Sequence, residues 1–345
     1  MTTTFSRRAA FGLAAGLIAV TAACGTTSSD SAETATTTKP KAGGCDGVRP
    51  AAGTVEVQDS LGRTVKLDGP AKRVAVLEWQ QTEDVLSLCL TPVAVADAKG
   101  YRLWDTAEEL PTGVTDVGTR GEPNLDALFG TNPDLVIVEA TAKDDPVIAQ
   151  LEKYDVPVLA TKGADAADPI GTMLATFDLI AEATGRSDRA DTVKASFEAA
   201  TKDAKAKIAA ADLDDERFVY VDGYLDGGNV AIRPFGKGSL IADLGEAIGL
   251  ENAWTGKVDA AYGLGLTDIE GMTAVGDATV FYTSTTDGSS DDVIAALQEN
   301  PVWKALPAVA QDRIHPFPAG TWTFGGPRSS VQVLDAYVDL LTKTK

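Results

Sequence analysis

The chain has 345 residues, with 30 Lys and Arg against 50 Asp and Glu, one His, three Cys and a formal net charge of −20. A body this acidic repels nucleic acid and anionic surfaces, so functions that hold polyphosphate by charge are excluded. A single histidine leaves no set for a zinc triad, and the length suffices for two domains with real cores.

The first residues read as an address. Ser6-Arg7-Arg8 is followed by an uncharged run, Ala9 to Ala23, that ends Thr21-Ala22-Ala23-Cys24. A basic segment, an apolar run too short to span a bilayer and small residues before a cysteine make residues 1–23 an export signal. The twin arginine points to export of a folded protein, with general secretion as the open alternative. The small residues before Cys24 resemble a bacterial lipobox, in which that cysteine becomes the lipid-bearing N-terminus; plain cleavage and release is the other reading. The expected location is therefore the outer face of the cell membrane, anchored through Cys24. Gly25 to Gly44 is rich in Thr, Ser, Ala and Lys and has no aromatic residue. Residues 24–53 are expected to be a flexible tether. Removing residues 1–23 takes away two arginines and no acid, so the exported body is more acidic still. Cys45 and Cys89 can pair in an oxidising compartment, two unrelated thiols being the alternative.

Residues 54–186 alternate between short apolar runs and amphipathic segments. Thr54 to Leu67 reads as a hairpin about Asp59-Ser-Leu-Gly62. Arg73 to Leu77 (RVAVL) suits a strand buried on both faces. A helix over Gln80 to Leu90, a strand at Val93 to Ala96 and a short helix at Asn124 to Gly130 follow. Then come a strand at Leu135 to Val138, a helix at Asp145 to Tyr154, a strand at Val156 to Ala160 and a helix at Pro169 to Thr184. Such alternation implies a parallel sheet covered on both sides.

Ser187 to Ala211 contains no Gly and no Pro. Ala190, Val193, Phe197, Ala200, Ala204, Ile208 and Ala211 fall at spacings of three and four and put one apolar stripe on a helix. At 1.5 Å per residue it is about 37 Å long, a domain diameter. Ser187 is the expected N-cap, Asp188 and Asp191 suit the positive end, and Gly185 closes the preceding helix. After it the α/β pattern restarts over residues 212–345. Strands are expected at Phe218 to Val221, Ala278 to Thr283 and Arg313 to His315. Helices are expected at Ser239 to Ile248, Asp268 to Ala274, Asp291 to Glu299 and Arg328 to Thr342. The fold class is α/β, with two Rossmann-like lobes bridged by a single long helix, residues 187–211. Ligands of such sheets bind at the carboxyl ends of the strands, here in a cleft between lobes.

Catalytic chemistry finds little support. His315 lies in His-Pro-Phe-Pro and reads as structural. Gly236-Lys-Gly-Ser239 has Ala231 where a phosphate loop needs its first glycine, and Gly263-Leu-Gly265 has Asp268 where a dinucleotide fingerprint needs its third. What remains near the cleft is aromatic and Arg-rich: Trp79 after the first buried strand, Arg120 in Gly118-Thr-Arg-Gly-Glu-Pro-Asn124, and Tyr262, Trp322 and Phe324 in Gly-containing loops. Flat rings bury area at low entropy cost and a guanidinium offers a fixed fork of donors, a set suited to a bulky ligand with clustered oxygens.

From about Thr54 onward the chain resembles the substrate-binding lipoproteins of ABC importers for iron-siderophores, which have cobalamin and haem binders as relatives. The resemblance rests on RVAVLEWQQTEDVLSL, VGTRGEPNLDALFGTNPDLVI, the long helix, RPFGKGSLIADLG and TWTFGG. It implies a class III substrate-binding protein whose two lobes flex little. It implies that Arg120 meets iron-hydroxamate oxygens and that Tyr262, Trp322 and Phe324 line the pocket, with Trp79 at its mouth and Arg233 a further contact. It also implies that Asp126 on one lobe and Glu270 on the other dock to arginines of the permease. The sequence departs at Glu139-Ala-Thr-Ala-Lys143, where some relatives carry a pocket tyrosine. The implied function is capture of a ferric siderophore by a monomer that needs no metal or cofactor of its own, and delivery to an ABC permease. One Arg amid aromatics favours a neutral or cationic hydroxamate complex over a triply anionic catecholate. Cobalamin or haem cargo, or an enzyme processing the siderophore at the surface, are the alternatives.

Overall fold

The computed structural model describes residues 44–226 and 229–342. The expected export signal, Cys24 and most of the expected tether lie outside the described residues.

The described chain opens with an antiparallel hairpin, β1 (Val55–Gln58) and β2 (Thr64–Leu67). Asp59 Oδ1 accepts from the Leu61 and Arg63 N–H groups and fixes its turn. The first lobe carries the strands β3 (Val74–Val76), β4 (Ala94–Val95), β5 (Thr115–Asp116), β6 (Leu135–Glu139) and β7 (Val158–Thr161). Its helices are α1 (Trp79–Ser87), α2 (Ala98–Trp104), α3 (Leu125–Gly130), α4 (Pro146–Leu151) and α5 (Pro169–Ala183). The strands form one parallel sheet in the order β5-β4-β3-β6-β7. Alternation of the pleat explains the continuous apolar runs. Val74, Val76, Leu135 and Ile137 point into one core and Ala75, Leu77, Val136 and Val138 into the other, all buried. The strand order reverses between β3 and β6, so a crevice opens at their carboxyl ends.

The chain crosses to the second lobe through α6 (Ser187–Ala211). Ala190 and Val193 pack into the first lobe's core, while Phe197, Ala204 and Ile208 pack into the second's. The N-cap is Arg186, with no side-chain bond, and not Ser187. The physical reason is the preceding turn. Arg186 N–H donates to Ala181 O (2.7 Å) and Gly185 N–H to Glu182 O (3.1 Å), with Gly185 at φ +66°. That double closure of α5 places Ser187 already in the first turn of α6. The helix is the one covalent crossing but not the one tie. α5 also spans both cores, with Met173 in the second and Phe177 and Ile180 in the first.

The second lobe holds β8 (Arg217–Asp226), β9 (Asn229–Phe235), α7 (Leu240–Ala247), β10 (Glu251–Asn252), β11 (Thr279–Tyr282), α8 (Asp292–Glu299), α9 (Pro301–Ala305), α10 (Pro307–Ala310), β12 (Ile314–Pro316) and α11 (Pro327–Thr342). β10-β8-β11-β12 are parallel, and β9 returns antiparallel along the far half of β8. β8 therefore runs well past the expected end at Val221, and the expected helix at Asp268 to Ala274 is a 3₁₀ turn at Gly271–Val275. The order reverses between β8 and β11, whose carboxyl ends face the same cleft as those of the first lobe.

The expected tether ends earlier than residue 53. Cys45 is bonded to Cys89 at the end of α1, with Cα atoms 5.5 Å apart, and Ala51 N–H donates to Gly185 O (2.8 Å). Residues 45–51 are thus fastened to the first lobe.

The lobes also meet around Glu83 of α1, which is fully buried. Its carboxylate accepts from Gly326 N–H (2.9 Å), Arg328 N–H and Ser329 N–H (both 3.0 Å) and the Ser329 hydroxyl, all at the start of α11. The charge sits at the positive end of a 16-residue helix and satisfies its free donors. Gly325 and Gly326 make room for this. A Cβ at Gly326 would lie 2.2 Å from Asp84 Oδ1, and one at Gly325 would lie 2.5 Å from Glu83 Oε2. The neighbouring Asp84 is equally buried, and neither of its oxygens has a hydrogen-bond partner among the described residues. Burial, and secondarily the charge of Glu83, push its pKa well above the usual carboxylate range.

Because the folded state holds the Asp84 proton more tightly than the unfolded chain, this group's contribution to stability is full below about pH 4 and declines as pH rises above it. Asp84→Asn keeps the shape and removes the titration. The variant is expected to gain stability over the parent at pH 7.5 and to gain less at pH 4.5, read as Tm at the two values; parallel shifts at both would contradict a proton held at Asp84.

Candidate functional site

The carboxyl ends of the strands position the site. Trp79 is the first residue of α1, two residues after Leu77, and Arg120 lies in the loop after β5. Trp322 and Phe324 come from the loop between β12 and α11, and Arg233 from β9. These five, with Trp104, Tyr220, Asp222 and Thr283, line one cavity of about 220 Å³ between the lobes. Tyr262 lines a narrower adjoining cavity that shares Phe324 and continues past Gln80, Gly163 and Met173. All six expected ligand residues therefore gather at the cleft. Trp79 is 4 % exposed. It forms the wall rather than the mouth, because its indole N–H is held by Asp97 O (3.2 Å).

The rings make a continuous chain across the cleft. Trp79 meets Trp322 edge-on at 4.9 Å between centroids, Trp322 meets Phe324 at 5.2 Å, and Phe324 meets Tyr262 at 5.7 Å. Trp104 joins from the first lobe at 6.2 Å from Trp322. Arg120 lies over Trp79, its Cζ 4.0 Å from the ring centroid, an arrangement that adds cation–π attraction to packing.

The charges are paired. Arg120 Nη1 bonds Glu78, whose carboxylate also accepts from the Trp79 N–H (2.9 Å) at the start of α1. Arg233 forks onto Asp222 through Nε–Oδ1 (2.7 Å) and Nη2–Oδ2 (2.5 Å). Burial pushes the Asp222 carboxyl above its usual range, with the Arg233 hydrogen bond opposing. A third carboxylate, Glu139 at the end of β6, accepts from the Tyr262 hydroxyl of the other lobe. Burial raises its pKa, the Tyr262 bond opposes, Glu78 raises it further and Arg120 lowers it. Burial and the Glu139 charge in turn push the Tyr262 phenol up, so it stays protonated and able to donate.

Away from the Glu139 seam, backbone bonds close the cleft. Thr106 N–H donates to Gly320 O and Thr286 N–H to Leu103 O, both at 3.0 Å. Asp126 is exposed in the first turn of α3, on the same segment as Arg120, and Glu270 is exposed where the 3₁₀ turn begins. His315 is half-buried in β12, its pKa lowered by burial, and packs near Phe281.

Glu78, Trp104, Glu139 and Asp222 were not singled out by residue pattern. Glu139 and Asp222 carry a usable signal: Glu139 ends β6, and Asp222 lies two residues past the last β8 residue paired with β11, each beside the reversal of strand order, where ligands of open sheets bind.

Comparison with known proteins agrees with this geometry. The sequence pattern of the family described as periplasmic binding protein matches residues 74–319, and the chain belongs to that family. It is 28% identical over 267 residues to the iron(3+)-hydroxamate-binding protein FhuD of Escherichia coli (strain K12), covering 76% of this chain and 86% of that protein. It is 27% identical over 275 residues to the Fe(3+)-citrate-binding protein YfmC of Bacillus subtilis (strain 168), covering 79% and 82%. Among solved structures it shares the fold of the siderophore binding protein FhuD from Vibrio cholerae bound to Fe3+-Desferal. The TM-score is 0.67 at 24% identity, over 79% of this chain and 98% of that one.

Proposed function

We propose that this member of the periplasmic binding protein family captures a ferric siderophore of hydroxamate type outside the cell membrane and delivers it to an ABC permease. The observation that carries the cargo class is the charge pairing in the cleft. Arg120 and Arg233 are already matched by Glu78 and Asp222, and Glu139 adds a further carboxylate. A triply anionic catecholate would find no spare positive charge, and burying charge unpaired is costly. A neutral or cationic hydroxamate complex needs only ring faces and a few donors, which Trp79, Trp322, Phe324, Arg120 and Tyr262 supply.

Among the described residues no group of three or more His, Cys, Asp or Glu side chains is placed to hold a metal ion. In this reading the iron arrives with its own ligands and the protein brings no cofactor. The protein acts as a binding component and not as an enzyme, in keeping with the printed names of its relatives. Among the described residues no helix is long and apolar enough to cross a membrane. Attachment through a lipidated Cys24 is the proposed means of staying at the surface. Asp126 and Glu270, exposed one on each lobe, are the proposed contacts to the permease.

Titration of the purified mature chain with a ferric tris-hydroxamate, a ferric tris-catecholate, ferric citrate, cobalamin and haem tests the cargo through quenching of Trp fluorescence. Micromolar or tighter affinity for the hydroxamate alone is expected; tighter binding of the catecholate or citrate would overturn the charge argument. Arg120→Ala is expected to weaken the hydroxamate complex by tenfold or more, about 1.4 kcal/mol. An unchanged Kd would remove Arg120 from the site.

Asp126→Ala combined with Glu270→Ala is expected to leave that Kd unaltered and to abolish iron uptake by cells carrying the transporter. Uptake at the parental rate would show that docking lies elsewhere.

A further inference from the structure

Glu139 is the carboxylate in the cleft with no arginine of its own, and its seat is built for it. Gly163, on the segment after β7, passes so close that a Cβ there would lie 2.2 Å from the Glu139 carboxylate. In the closed cleft the hydroxyl of Tyr262, from the opposite lobe, donates to Glu139. Among the described residues, the charged groups that shift the Glu139 titration are Glu78 and Arg120, and Arg120 is committed to Glu78.

A phenol has one proton to donate. The oxygens of a tris-hydroxamate are acceptors, so Tyr262 can serve the ligand or Glu139 but not both. If it turns to the ligand, Glu139 is left as a half-buried carboxylate without a donor, a state that costs binding energy. Only a ligand that brings its own donor can satisfy both acceptors, and a cationic donor does so best because its hydrogen bond to a carboxylate is charge-assisted.

Resting on the cargo class above, we propose that Glu139 reads the charge of the chelate. It accepts an ammonium group carried by the ligand, so the cleft prefers a cationic ferric tris-hydroxamate to its uncharged counterpart. Tyr262 is the partner it exchanges for that ammonium, and Gly163 holds the carboxylate at the place of exchange.

The test uses two probes with the same iron centre: a linear ferric tris-hydroxamate with a free primary amine, and the same chelate N-acetylated. Kd values are read by Trp quenching on the full mature chain. The parent protein is expected to bind the amine form at least tenfold more tightly. Glu139→Gln, which keeps the shape and loses the charge, is expected to bind both forms within twofold of each other. Gly163→Ala, which displaces the carboxylate without deleting it, is expected to shrink the preference. Equal affinities in the parent, or a preference that survives in Glu139→Gln, would overturn the inference. Failure of the parent to bind either form would instead overturn the hydroxamate reading itself, and the parent measurement stands whether or not either variant folds.

Discussion

Glu83 sits on the first helix of the first lobe, yet its carboxylate accepts four hydrogen bonds from the start of α11, the last described helix. The carboxylate is fully buried, so it is tolerated only because backbone donors and the positive end of α11 surround it. Much of the site's geometry follows from that constraint. α1 begins with Trp79, and α11 is preceded by Trp322 and Phe324, so fixing one helix to the other also fixes the rings that line the cleft. Gly325 and Gly326 belong to the same device, since a side chain at either would push against the buried carboxylates. Asp84 and the nearby Asp105, both with pKa values raised by burial, are held in the same buried junction.

The second organising feature is the neutralisation of both cleft arginines. Glu78 serves two ends at once. It caps α1 through Trp79 N–H and holds Arg120 across the Trp79 face. Asp222 plays the matching part for Arg233, its ladder partner across β8 and β9. A guanidinium held in this way is pre-oriented, and both Arg120 and Arg233 line the cavity. The aromatic chain from Trp104 to Tyr262 supplies area with few rotatable bonds, which keeps the entropy cost of binding low.

Much of the fold was legible in the sequence because its signals are local. RVAVL and DLVIV are buried on both faces, and the apolar stripe ending at Ala211, with Ser187 ahead of it, marked the bounds of α6 to the residue. The short elements β4, β5 and β10 needed the sheet around them to exist, and β9 is a strand through its pairing with β8 rather than through its composition. Ser187 looked like a cap on type alone; the closure of α5 two residues earlier decided otherwise. At the site, aromatic residues and Arg120 were recognisable by motif and position. Their carboxylate partners were not, because Glu78, Glu139 and Asp222 meet their arginine or tyrosine across 42, 123 and 11 residues of sequence. Such pairs are set by topology, which no local pattern records.

The separation of Glu83 from its partners has a consequence for how the protein comes into being. Its donors lie 243 to 246 residues further along the chain. A ribosome or a translocation pore releases the first lobe long before the final helix emerges. Until then α1 carries buried-type acids with nothing to neutralise them, and the wall bearing Trp79 lacks its opposing rings. The junction between α1 and α11, and with it the facing of Trp79 by Trp322, therefore forms only after α11 has emerged.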